Sequence, residues 1–150
     1  MKQLLIISAA LLLGFGCKSK KETSNMNKSP ETEQPTEKSN PLQGKWNVIS
    51  IINIDDRVVK EVAPYISISE EKLSGHDGCN RIFTSFTLNE NSIKLKAIAQ
   101  TKVACNDPQS NMASIAFTSG LGKTTHYKIE QNKLSFLNEK GEVILTFLKA

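Results

Sequence analysis

From Leu42 onward, apolar residues recur mostly at every second position, the spacing of strands with one buried face. The segment GKWNVISIIN, residues 44–53, places Trp46, Val48 and Ile52 on one parity. YISIS, 65–69, alternates after Pro64, and RIFTSFTL, 81–88, puts Ile82, Phe86 and Leu88 together. Asn89-Glu90-Asn91 reads as a turn into SIKLKAIA, 92–99, with Ile93, Leu95, Ala97 and Ala99 on one side. THYKIE (125–130), KLSFL (133–137) and EVILTFLK (142–149) follow, with Gln131-Asn132 and Asn138–Gly141 as hairpin turns.

One segment breaks the period. Asp107-Pro108 is a helix start, an N-cap acid with proline at the first helical position. Met112, Ile115, Ala116 and Ser119 then recur at three and four, and Gly120 and Gly122 are expected to stop the helix. Strands, one short helix and further strands predict an α+β fold: a mostly antiparallel, curled, barrel-like sheet packed on that helix. Trp46, Phe86, Phe117, Phe136, Leu145 and Phe147 are the expected core.

The first 41 residues follow different rules. Met1-Lys2-Gln3 precedes the apolar run LLIISAALLL, 4–13, too short to span a bilayer and typical of a secretory signal peptide. The run ends at Gly16-Cys17, which resembles the lipobox of bacterial lipoproteins, although Gly14 and Phe15 depart from the usual box. The resemblance implies a signal peptide over 1–16, a lipid on Cys17, and an anchor in the cell envelope. The outer membrane, facing the periplasm, is the expected location. Residues 18–41 hold one large apolar side chain, Met26, and three prolines. Such a segment cannot offset its chain entropy by burial, so 17–41 reads as a disordered linker and 42–150 as the folded domain. As a flexible coil, 24 residues reach roughly 25–30 Å.

Charge excludes one class of partner. The chain carries 19 basic and 15 acidic residues, net +4; from residue 42 the counts are 13 and 11. No basic block with interleaved aromatics is present, so no nucleic-acid partner is expected.

The densest chemistry lies in SGHDGCNRIF, 74–83. His76, Cys79, Cys105 and His126 could be counted as a metal set, but Cys105 and His126 lack the short paired spacings of structural zinc sites. A thiol nucleophile needs a base and an oxyanion site, and only His76 and Asp77 are near in sequence. A disulfide accounts for more. Three cysteines are an odd number for an exported chain, and a lipid on Cys17 leaves Cys79 and Cys105 as a pair in an oxidising compartment. Gly75 and Gly78 then read as turns that bring Cys79 to its partner, with Asn80 satisfying local backbone groups. The acid pairs Asp55-Asp56 and Glu70-Glu71 read as solvated edges, since neighbours there point apart. No metal, cofactor or catalytic set is expected.

Several of these residues together resemble the META domain family, typified by the bacterial heat-shock protein HslJ. The matching stretches are Gly44-Lys45-Trp46, Ser74 to Asn80 and Thr101-Lys102-Val103-Ala104-Cys105. Tyr127-Lys128-Ile129 and Leu134-Ser135-Phe136 fall where the family has later strands. The resemblance covers about residues 42–148 and marks Trp46, Gly75, Gly78, Asn80 and Thr101 as motif positions. It implies a small barrel-like domain, usually in the cell envelope and linked to stress tolerance, envelope integrity and secretion, with no defined reaction. The expected function is therefore a non-enzymatic envelope lipoprotein. It would bind an envelope protein or a lipidic molecule, or carry a small apolar ligand in the periplasm.

Overall fold

A computed structural model of the chain describes residues 40–150. The signal peptide, Cys17 and nearly all of the linker lie outside the described residues. Asn40 belongs to the fold, two residues ahead of the expected start: its side chain accepts from Leu42 N at 2.9 Å, and its amide donates to Glu70 O.

The strands are β1 (Gly44–Ile51), β2 (Tyr65–Ser69), β3 (Lys72–His76), β4 (Arg81–Asn89), β5 (Ser92–Leu95), β6 (Ala99–Gln100), β7 (His126–Glu130), β8 (Lys133–Leu137) and β9 (Val143–Lys149). Helix α1 (Asp56–Val62) follows β1, and α2 (Pro108–Lys123) follows β6. Every pairing is antiparallel. Eight strands run in the order β3-β2-β1-β9-β8-β7-β5-β4, and β3 pairs with β4 to close the ring. Closure removes the free edges that an open sheet would present. The short β6 lies against β4 at Ile82 and Phe83.

The turns explain the tight hairpins. Glu70, Glu90 and Gln131 each have a positive φ and open two-residue loops, whose twist matches that of the flanking strands. The interior is filled by Trp46, Ile66, Ile68, Ile82, Phe86, Leu134, Phe136, Leu145 and Phe147, all essentially inaccessible. Phe136 meets Phe147 edge-to-face at 5.0 Å between ring centres, and Phe117 of α2 meets the same ring at 6.4 Å. All six expected core residues are buried.

Four expectations need correction. The described residues hold two helices, not one: the seven-residue α1 is capped by Asp55, whose carboxylate accepts from Arg57 N at 2.8 Å. Asp55-Asp56 is thus a helix start rather than an edge. In β1 the buried parity changes: Ile51 is 1% exposed and Ile52 43%. A register irregularity against β9 between Val48 and Ser50 shifts the alternation by one. The expected strand 92–99 is β5, an irregular Lys96–Ile98, and β6.

Helix α2 also turns a different face inward. Met112 and Ile115 are 52% and 62% exposed, while Ala113, Ser114, Phe117, Gly120 and Leu121 are buried. Gly120 does not stop the helix; it lets the helix approach β9, where a Cβ would sit 3.0 Å from Leu145 Cδ2. Small residues on this face allow the close approach, and Phe117 and Leu121 supply the burial.

Candidate functional site

The motif residues converge on the loop between β3 and β4. Beyond His76 the chain must reverse, and Asp77 organises the reversal. One carboxylate oxygen of Asp77 accepts from Cys79 N at 2.8 Å and from Asn80 N at 2.5 Å. Asp77 N donates in turn to Asn80 O at 3.0 Å. This side chain substitutes for a backbone turn. Gly78 between them has φ +99°, and a Cβ there would overlap Val62 at the end of α1. Only glycine meets both conditions.

The loop is bound outward to two distant segments. The second oxygen of Asp77 accepts from Ser114 Oγ of α2 at 2.7 Å, with both residues buried. Asn80 Oδ1 accepts from Val103 N at 2.7 Å and Thr101 Oγ1 at 3.1 Å. Thr101 Oγ1 accepts from Arg81 N at 3.1 Å. Cys79 and Cys105 are joined, with Cα atoms 5.4 Å apart and 26 residues between them in sequence. The segment 101–105 has no regular structure of its own, so these bonds hold it in place.

Two roles differ from those expected. Asn80 does not serve its own neighbours; its amide oxygen reaches across to Thr101 and Val103. Gly75 is not a turn: it lies inside β3, where a Cβ would collide with Tyr65 O on β2. Trp46 lies apart, in the core, with Nε1 donating to Leu42 O at 2.7 Å. Sequence reading missed Ser114, a common residue type on a helix face expected to be exposed. Only its placement opposite Asp77 identifies it.

Chemically, this cluster is a clamp. The Asp77 carboxylate is occupied by three donors. His76 does not join it: its Nδ1 accepts from Gly78 N at 3.0 Å, and its ring stacks on Tyr65 at 6.4 Å. His126 is exposed on β7. Among the described residues, no three His, Cys, Asp or Glu side chains gather as metal ligands would.

The shifted carboxyls lie elsewhere, on exposed turns and helix starts. The Arg57 guanidinium and backbone N–H bonded to Asp55 lower its pKa to about 2. Hydrogen bonds from Ser110 lower that of Asp107, the N-cap of α2. Lys128 beside Glu130 lowers that of Glu130.

The clefts lie on the surface. One, of about 820 Å³, is lined by Glu70, Glu71 and Glu90 with Phe86, Leu88 and Tyr127 beneath, and Asn40 and Pro41 border it. Tyr127 Oη donates to Glu90 O at 2.9 Å and fixes one wall.

No curated protein matches the chain. Solved structures share its fold. An NMR structure of a protein from Burkholderia xenovorans is 16% identical, with TM-score 0.56, covering 83% of this chain and 99% of that one. A second NMR structure is 21% identical, with TM-score 0.53 and coverages of 71% and 89%. A crystal structure of a DUF4847-family protein from Bacteroides vulgatus is 14% identical, with TM-score 0.50 and coverages of 71% and 92%. The META domain model matches residues 40–150, the whole of the barrel and its clamp, and the chain belongs to the META domain family.

Proposed function

We propose that this META domain is a non-enzymatic binding module of the cell envelope, held at the outer membrane by a lipid on Cys17 and carried on the linker 18–39. The observation that supports a binding role over carriage is the filled interior. Trp46, Phe86, Phe117, Phe136 and Phe147 fill the core, and the cleft beside Tyr127 opens outward. An internal carrier would need an unfilled cavity of a few hundred Å³. Recognition then falls to the outer surface. The buried polar clamp and the disulfide, which suits an oxidising compartment, keep that surface rigid. Both features favour presentation of a fixed face over chemistry in a pocket.

The test is native mass spectrometry of the chain extracted from its own membrane, with and without reduction and alkylation. A mass fitting lipidated Cys17, no alkylation before reduction and no small-molecule adduct is the expected result. An unmodified Cys17 removes the anchor from this reading. A stoichiometric apolar adduct replaces the binding module with a carrier.

A further inference from the structure

Five of the 13 cations from residue 42 onward, Lys45, Lys72, Arg81, Lys94 and Lys96, share one face of the barrel. Strands β1 to β6 contain no Asp or Glu. Their outward positions form rows across the sheet. Asn47, Tyr65, His76 and Arg81 make one row, and Lys45, Ser67, Ser74 and Phe83 the next. Ser69, Lys72 and Ser85 follow, with Lys96 N bonded to Ser85 O; then Thr87 and Lys94. Lys45, Lys72, Arg81, Lys94 and Lys96 are all exposed. In their midst Phe83 is 50% exposed. Beside it runs a shallow groove of about 480 Å³ lined by Ser67, Ser69, Ser74, Ser85 and Lys72. The bordering acids, Glu70, Glu71 and Glu90, stand in the turns at one end.

We propose that this acid-free outer face of β1–β5 docks onto an anionic phospholipid membrane, with the lysines and Arg81 on the phosphates and Phe83 entering the headgroup layer. The proposal deepens the envelope-binding role put forward above and rests on it. Cations around a single protruding aromatic are the combination that binds a lipid interface. Two other occupants fit less well. β4 is paired on both sides, so a peptide finds no free strand edge here. Tyr65 is covered by Lys45 Nζ, 4.5 Å from its ring centre, and stacked by His76, so bases have little open ring to stack on. The chain also enters the fold beside this face: Asn40 is bonded to Glu70 in the β2–β3 turn.

The test uses the mature chain, residues 17–150 carrying Cys17→Ser, and co-sedimentation with vesicles. One set is phosphatidylcholine alone; the other contains about one-third phosphatidylglycerol. The chain is expected to partition onto the anionic vesicles only, and to be released at molar salt, where screening shortens to about 3 Å. Each cation near an anionic surface is worth about fivefold in partition, so K72Q/K94Q/K96Q together should lower it on the order of 100-fold. Phe83→Ser should weaken binding while leaving its salt dependence unchanged. Equal partition onto neutral vesicles, no partition at low salt, or no loss in the triple variant overturns the proposal. So does tighter binding of duplex DNA than of anionic vesicles through the same lysines. The envelope reading stands or falls separately, on the Cys17 mass.

Discussion

Asp77→Ala removes the centre of the clamp. It strands three donors at once: Cys79 N, Asn80 N and Ser114 Oγ. Each unsatisfied buried donor costs about 1–3 kcal/mol, and entry of water into the vacated space offsets part of that. The net loss is expected to be roughly 3–5 kcal/mol, large for a single substitution. At roughly 4–8 °C per kcal/mol for a domain of this size, the melting temperature falls by about 15–25 °C. Asp77→Asn is the control. Its amide oxygen still serves the two backbone donors, and its NH2 group can donate to the Ser114 oxygen, so about 1 kcal/mol is lost. Ser114→Ala alone costs about 1–2 kcal/mol. Urea and thermal unfolding of the oxidised protein measure all three. Equal stabilities for Asp77→Ala and Asp77→Asn would refute the account. Strict additivity of Asp77→Ala with Ser114→Ala would also refute it, because residues in one hydrogen-bonded network couple.

Other outcomes follow from the same structure. The Cys79→Ser, Cys105→Ser double variant should lose about 3–4 kcal/mol, the chain-entropy value for a 26-residue loop, measured by urea unfolding with a steeper slope, because the unlinked unfolded chain is more expanded. Gly78→Ala should cost at least about 2–3 kcal/mol, since it pairs a left-handed backbone with overlap on Val62; a variant as stable as the parent contradicts the turn geometry. The Asp55 carboxyl should titrate near 2 by NMR, and Arg57→Ala should raise it toward 3.8. Because the folded value is the lower one, the stabilisation linked to Asp55 is present above about 3.8 and disappears as pH falls through about 2.

The strands were legible because each barrel strand buries one face, and that imposes a period of two. Alternation fails where geometry departs from an ideal ladder, as at the β1 irregularity that exchanges Ile51 for Ile52. Helix α1 was missed because seven residues with one buried side chain, Val59, make no periodic pattern. The face of α2 was misread because Phe117 and Leu121 share its contact surface with Ala113, Ser114 and Gly120, small residues that blur the apolar stripe. In the clamp, Gly75, Gly78, Asn80 and Thr101 stood out as a motif, and the cysteines as a pair. Their bonding was not readable: Asp77 and Ser114 are 37 residues apart, and either type alone is commonplace. The basic face was hidden in the same way, as single lysines on alternate positions of separate strands.

The pairing of β1 with β9 has a consequence for the order of events in the chain's life. Trp46 lies opposite Lys149, whose ammonium caps the indole at 4.2 Å and also donates to Gln43 O. The first of the described strands is therefore completed by the last. Until Val143–Lys149 emerges, β1 lacks one neighbour and the ring cannot close, whatever the strands between have done. Such end-to-end contacts make folding slow, on a millisecond-to-second scale. A nascent chain thus stays open until Val143–Lys149 has been made, because only then does β1 gain its second neighbour.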